Sequence, residues 1–201
     1  MLITFEGIDG SGKSTQIQLL KSFIEASLDR KVVVYREPGG NVVSEKIRSL
    51  LLDNDFEIQP VTEMLLFSAA RAQLVADDVI PTLKNGSIVI LDRFFDSTTA
   101  YQGYGRGAAP ISEIHALNHF AAIGLKPDVT FYLRLDLKEA QLRRSGEEKD
   151  RMERSGNEFY EKVIHGFDEL AKQESRFCVI DAKLSKPEIH KLISEKVVSL
   201  L

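Results

Sequence analysis

Eight consecutive residues, Gly7-Ile8-Asp9-Gly10-Ser11-Gly12-Lys13-Ser14, carry the spacing G-x-x-x-x-G-K-[ST]. Glycine at three of these positions lets successive backbone N–H groups turn inward on an anion. Lys13 adds a point charge, and Ser14 offers a hydroxyl to Mg²⁺ at a helix N-terminus. The stretch Gly7 to Thr15 is therefore read as the site of a nucleoside triphosphate, with Lys13 among the catalytic groups. A second cluster closes the run Ile88-Val89-Ile90-Leu91-Asp92-Arg93, an apolar segment ending in an acid and then a base. An acid at such a strand end lies beside the phosphate loop and can hold Mg²⁺ or its water, which pairs Asp92 with Ser14 as the metal-side residues. The lesser alternative for Asp92 is a helix N-cap. The Arg93 guanidinium can bind phosphate oxygens bidentately, or it could form a surface ion pair.

These residues need a scaffold that brings distant segments together, and the hydrophobic pattern supplies one. Short β-rich apolar runs at residues 2–5, 32–35, 88–91, 129–133 and 177–180 alternate with longer helical patterns, such as Ile17, Leu20, Phe23, Ile24 and Leu28. A second helical pattern is Ile189, Leu192, Ile193 and Val197. Five strands alternating with helices predict an α/β fold with a parallel sheet flanked by helices. Pro60 and Pro187 stand at helix starts, and Asn85-Gly86 closes a helix before the third strand. The 201 residues, 43% hydrophobic and 28% charged, suit a single domain spanning residues 1–201. Residues 143–156 differ: they are charged nearly throughout, with glycines near both ends, and read as a mobile, solvent-facing lid.

Net charge is −4 and the isoelectric point is near 5.7, which excludes a broad polyanion-binding surface and so nucleic acid as a partner. No run reaches the length of a membrane span, and the chain opens directly on an apolar strand, so neither a membrane nor a leader is expected. The lone cysteine, Cys178, lies in a predicted strand and reads as a small buried side chain, leaving no disulfide and a cytoplasmic location.

The segment Asp92-Arg93-Phe94-Phe95-Asp96-Ser97-Thr98-Thr99-Ala100-Tyr101-Gln102 closely resembles the signature of thymidylate kinases. The opening Phe5-Glu6-Gly7-Ile8-Asp9-Gly10, the turn Arg36-Glu37-Pro38-Gly39-Gly40, residues Leu65 to Arg71 and the charged lid are similar to the bacterial members, in the same order. The resemblance implies a P-loop NTPase fold of the nucleoside monophosphate kinase type. It further implies transfer of a phosphoryl group from ATP to dTMP, giving dTDP for dTTP synthesis, with Mg²⁺ as cofactor and a homodimer as the usual assembly.

Site roles follow from the same resemblance. Phe67 would stack on thymine and Arg71, one helical turn on, would donate to a base carbonyl; periodicity alone makes Phe67 a core residue. Asp9 would accept from the 3′-hydroxyl, while Arg36 and Arg93 would hold the acceptor phosphate with Glu37 nearby and Pro38 in the cis form. Ser97, Thr98, Tyr101 and Gln102 would line the base and sugar pocket, Tyr101 crowding a 2′-hydroxyl. Asp181 and Ala182, after the last strand, would flank the adenine. Position 10 is glycine, so the phosphate loop carries no arginine, and the lid supplies Arg143, Arg144, Arg151 and Arg154. Of these, Arg144 and Arg151 are expected to meet the transferred phosphoryl.

The chemistry of two phosphorylated substrates is consistent with this inventory. A phosphate acceptor is already an anion and needs no general base; the protein must hold two mutually repelling polyanions in line with cations and exclude water. A regulatory GTPase would need an Asn-Lys-x-Asp segment, which the sequence lacks. A deoxynucleoside kinase acting on a 5′-hydroxyl is the alternative, with Glu37 as its base. A nucleotide-binding module without turnover would have no use for Lys13, Ser14, Asp92 and Arg93 together. Elsewhere, His115 and His119 read as helix-surface residues, Asp77-Asp78 as facing water and Gly103-Tyr104-Gly105-Arg106-Gly107 as a flexible connection. Leu65, Leu66 and Leu74 form an apolar helical surface that could serve either a subunit contact or the core.

Overall fold

The computed structural model describes residues 1–146, 150–152 and 154–201. Five strands, β1 (Leu2–Glu6), β2 (Val32–Arg36), β3 (Ile88–Asp92), β4 (Val129–Arg134) and β5 (Phe177–Asp181), form one parallel sheet in the order β2-β3-β1-β4-β5. The sheet is flanked by α1 (Lys13–Ser27), α2 (Val42–Leu52), α3 (Pro60–Leu74), α4 (Ile80–Lys84), α5 (Phe95–Thr98), α6 (Ile111–Ala121), α7 (Leu137–Arg143), α8 (Asn157–Gln173) and α9 (Lys186–Val198). All five predicted strands are present. Each runs one residue past its apolar stretch, ending on Glu6, Arg36, Asp92, Arg134 or Asp181. The carboxyl edge of the sheet is thus a row of charged residues.

The sheet is covered on both faces, and alternation along the strands sorts the two cores. Ile3, Phe5, Ile88 and Ile90 point to one layer, where they meet Ile17, Leu20 and Ile24 of α1, Phe159 and Phe167 of α8 and Ile193 of α9. Leu2, Val89 and Leu91 point to the other, with Leu74, Val75 and Val79 from the end of α3 and its π-helical continuation Val75–Val79. Leu74 has no exposed surface and belongs to this core rather than to a subunit contact; Leu65, half exposed, stays on the outer face. Helix ends follow the predicted punctuation: Pro60 opens α3, Gly86 turns the chain at φ 78° after α4, and Pro187 stands in the first turn of α9, where Ser185 and Glu188 add a reciprocal capping box.

The segment 103–107 departs from expectation over residues 103–105. Its three glycines read as a loop because glycine costs about 1 kcal/mol in a helix interior. In the structure α5 continues directly into a π-helical segment, Thr99–Gly105, packed against α8. A Cβ on Gly105 would stand 2.6 Å from the Phe159 ring, and one on Gly166 2.8 Å from Tyr104. Gly103 and Gly105 permit close helix packing, whereas Gly107, at φ 63° with open space beside it, turns the chain out of the segment. His115 and His119 are exposed on α6 and Asp77 is exposed, as expected, while Asp78 is half-buried and accepts from Asn41.

Candidate active site

The loop after β1 enters α1 at the crevice between β1 and its neighbours, where open parallel sheets bind ligands. Gly7, at φ 133°, could not carry a side chain, since its Cβ would lie 2.6 Å from the Leu133 carbonyl oxygen of β4. The buried Lys13 ammonium donates to the carbonyls of Gly7 (2.9 Å) and Ile8 (3.2 Å) and lies 3.8 Å from Asp9. Burial and the neighbouring Arg93 push the Lys13 amine below its ordinary pKa. The Ser14 hydroxyl donates to the Asp92 carboxylate at 3.1 Å, joining the start of α1 to the end of β3 as predicted. Asp92 caps no helix; the next begins at Phe95.

This pair fits Mg²⁺ held jointly with a nucleotide. It offers two hard oxygen donors at the mouth of the phosphate loop, and among the described residues no cluster of three or more acids, histidines and cysteines forms a cage of its own. Magnesium commonly takes one or two protein oxygens and completes its shell with water and phosphate.

Arg93 occupies the left-handed region at φ 70°. That backbone turns its guanidinium back across the sheet edge, where one nitrogen donates to Asp9 at 2.7 Å and another to the Ser97 hydroxyl at 3.1 Å. The Tyr101 ring lies beneath it, 5.1 Å from ring centre to guanidinium carbon. Burial pushes the Asp9 carboxyl up, but Arg93 and Lys13 outweigh that and hold it well below the usual carboxylate range. The wholly buried Glu6, last residue of β1, braces this turn by accepting from the Phe94 amide (2.8 Å) and the Ser97 hydroxyl (2.6 Å). Desolvation and the nearby Asp96 raise Glu6 to about 8.

Two cavities meet at Arg93. The larger, about 920 Å³, is floored by residues 9–16 and flanked by Arg36, Arg48, Arg143, Arg144, Ala182 and Ser185. Seven basic residues against three acidic ones line it, a local excess of positive charge on a chain whose net charge is negative. The smaller, about 150 Å³, is bounded by Phe67, Arg71, Phe94, Ser97, Thr98, Tyr101, Gln102 and Met152. It is open rather than filled by the protein's own side chains. Asp9, Glu37, Arg48 and Arg93 line both cavities.

The structure brings most predicted residues to these two spaces, with several refinements. Phe67 is half-buried and is at once core packing and pocket wall. Arg71 is buried and donates to Glu37 (2.8 Å) and Thr98 (2.9 Å) while still bordering the smaller cavity. Burial raises Glu37 to about 7 against the pull of Arg71, and the Glu37–Pro38 bond is cis. Gln102 donates to Glu63 at 3.0 Å. Arg36 lies at the outer margin of the larger cavity, tied to Glu45 at 3.1 Å. Arg48, three residues on from Glu45 along α2, reaches the junction, although no motif in the sequence marks it. Ala182 borders the larger cavity, and the Asp181 carboxylate instead accepts from the Lys183 backbone N–H.

The lid arginines divide. Arg144 lies against Gly10, where a Cβ would meet its side chain at 3.2 Å, and Arg143 donates to the carbonyls of Gly10 (3.3 Å) and Ala182 (3.0 Å). Arg151, expected beside the phosphates, is held elsewhere: the buried Glu63 carboxylate pairs with it at 2.6 Å, and its Nε donates to Leu51 O at 2.7 Å. A fully desolvated acid outcompetes an open cleft for that cation. Arg154 borders a third cavity behind Arg144. Residues 147–149 and 153, also within the predicted lid, lie outside the described residues.

A parallel sheet in this order, a phosphate loop at its centre and two adjoining cavities with cations at their junction define a P-loop nucleotide kinase. The family model described as thymidylate kinase matches residues 5–193. Similar proteins include the thymidylate kinases of Chlorobaculum tepidum, 48% identical with 100% of this chain and 98% of that protein covered, and of Thermoanaerobacter sp., 44% identical with 99% and 98% covered. The crystal structure of the thymidylate kinase from Ehrlichia chaffeensis superposes with a TM-score of 0.79 at 36% identity, covering 99% of this chain and 98% of that one. The chain belongs to the thymidylate kinase family.

Proposed function

We propose that this chain transfers the γ-phosphoryl group of ATP to the phosphate of dTMP, giving ADP and dTDP. The observation that carries this reading is the shared wall of the two cavities, since Asp9, Arg48 and Arg93 face both. ATP takes the larger cavity, its phosphates against residues 7–15 and its base toward Asp181 and Ala182. The pyrimidine of dTMP takes the smaller one against Phe67, beside Arg71, Ser97, Thr98, Tyr101 and Gln102. Arg93 and Arg48 hold the acceptor phosphate where it meets the donor, with Arg36 at the margin.

With Asp9 paired to two cations and ionised, it serves as a hydrogen-bond acceptor for the sugar rather than a base; none is needed when the nucleophile is a phosphate oxygen. Lys13, Arg93 and Arg144 offset the charge that gathers on the transferred group, and Mg²⁺ held through Ser14 and Asp92 would supply further neutralisation on the donor phosphates. Residues 143–156 serve as a lid that excludes water, within a single domain of 201 residues. The reading extends to a homodimer in the cytoplasm, supported by Val61 and Leu65, both half exposed on one face of α3. No helix among the described residues is long and apolar enough to cross a membrane.

The alternative, a kinase acting on a neutral 5′-hydroxyl with Glu37 as its base, is not favoured: the chain belongs to the thymidylate kinase family, and Arg48 and Arg93 at the junction of the cavities suit a charged acceptor. A coupled ADP-release assay over dTMP, dUMP, dCMP, dGMP and thymidine tests the reading. Turnover is expected to be fastest with dTMP; preference for thymidine, or no release with any of them, would overturn it.

A further inference from the structure

Glu63 stands in the first turn of α3, where an acid ordinarily faces solvent at the positive end of the helix, yet none of its surface is exposed. Three side chains converge on its carboxylate. Gln102 donates to it at 3.0 Å, the Arg106 Nε donates at 3.2 Å, and Arg151 pairs with its second oxygen at 2.6 Å. One buried group thereby joins α3, the π-helical segment Thr99–Gly105 and the distal part of the segment 143–156.

The distal part is fixed on this side by further contacts. Arg106 also donates to the Ser155 hydroxyl at 2.7 Å, the Arg151 Nε donates to Leu51 O at 2.7 Å, and Met152 is buried in the main core. The proximal part is fixed elsewhere, through Arg143 on the carbonyls of Gly10 and Ala182. The two ends of the segment are therefore anchored over different cavities: the proximal end over the phosphate loop, the distal end over the pocket that Asp150, Met152 and Gln102 share.

We propose that Glu63 is a positioning residue of the acceptor site: it fastens the distal end of the lid to α3, making Asp150 and Met152 the outer wall of the acceptor pocket. The proposal rests on the reading of the smaller cavity as that pocket. A buried carboxylate with a guanidinium on each oxygen holds tightly, because releasing Arg151 would leave its oxygen desolvated without the cation that faces it. Gln102, a wall residue of the same pocket, is oriented by the same carboxylate, so lid and pocket are set together.

The test uses Glu63→Gln, which keeps the volume and removes the charge, and Ser155→Ala, which removes only the bond from Arg106 on the lid side. Two measurements are made on the full chain: steady-state kinetics with dTMP and ATP varied separately, and limited trypsin digestion with cleavage at Arg151 and Arg154 followed by mass spectrometry. Glu63→Gln is expected to raise the KM for dTMP by ~10-fold or more, as loss of one partner of a buried charge pair does, while leaving the KM for ATP unchanged. Cleavage at Arg151 and Arg154 accelerates in the nucleotide-free protein, and saturating dTMP restores protection. Ser155→Ala shifts both readouts in the same direction by about threefold, the scale of one hydrogen bond. Wild-type cleavage and KM in a folded Glu63→Gln would overturn the proposal, as would equal rises in both KM values. Should Glu63→Gln fail to fold, unchanged cleavage and KM in Ser155→Ala overturn it alone. If the wild-type protein does not phosphorylate dTMP, the reading of the pocket fails, and the nucleotide-free digestion still decides whether Glu63 fastens the lid.

Discussion

Replacing Arg93 by Ala removes a guanidinium that borders both cavities and donates to Asp9. On the proposed reading the phosphoryl group in flight gathers charge at that junction, and a unit charge about 4 Å away contributes ~4 kcal/mol at an effective dielectric constant near 20. Part of this is already realised with the ground-state phosphates, so the loss divides between binding and chemistry. If all of it fell on the barrier the rate would drop by roughly 10³-fold, and a division places the fall in kcat at about 10²- to 10³-fold with a rise in the KM for dTMP. ATP binding should change little, because Lys13 and the loop amides remain. Backbone strain does not confound the comparison: position 93 sits at φ 70°, and Arg and Ala carry a similar left-handed penalty there. The assay is coupled ADP release, with single-turnover quench to separate chemistry from product release and a thermal melt to confirm the fold. Arg93→Lys, which restores the charge without the planar fork, should recover part of the loss. A kcat for Arg93→Ala within about threefold of the parent would refute the placement of Arg93 beside the transferred phosphoryl, since removal of a positioned arginine ordinarily costs 10³-fold or more.

Two further outcomes concern stability. Glu6 is raised from an ordinary carboxylate value to about 8, so the folded protein binds its proton more tightly than the unfolded chain does; its contribution is complete below pH ~4.5 and is lost as pH rises toward 8. Glu6→Gln should therefore flatten a fall of up to ~1.4 kcal/mol per pH unit in that window, measured as denaturant midpoints against pH, and an unchanged slope would show that Glu6 is ionised throughout. Gly105→Ala should destabilise the protein by about 1–3 kcal/mol in denaturant melts despite alanine's better helix propensity, because the added methyl meets Phe159 at 2.6 Å; equal or greater stability would show that α8 yields freely.

Much of the fold was legible because parallel strands buried on both faces are apolar runs, which set themselves apart from amphipathic helices. Their final residues were not: Glu6, Arg36, Arg134 and Asp181 break the apolar pattern, so reading by hydrophobicity stops one residue short. The phosphate loop and the Ser14–Asp92 pair were readable from spacing alone, since their chemistry is carried by residues adjacent in sequence or at a strand end. Arg48 and Glu63 were not, because their importance lies in partners contributed by other segments, Pro38 for one and Arg106 and Arg151 for the other. Arg151 illustrates the same limit: charge and position suggested a phosphate ligand, and only the fold reveals a buried acid near enough to capture it. Glycines 103 and 105 misled because a signal for turns and a signal for tight helix contact are the same residue, whereas Gly107, at φ 63°, is the turn it was read as.

The row of charged strand ends carries an evolutionary corollary. At Arg36 and Asp92 the residue that borders the larger cavity stands one place past the apolar run of its strand, so exchanging it rewrites the functional rim while sparing the interior that drives collapse; Glu6, equally terminal but wholly buried, belongs to that interior. Inactivating changes along that rim should commonly yield protein that still expresses and purifies well. The architecture can therefore explore new ligands at low risk of losing its shape.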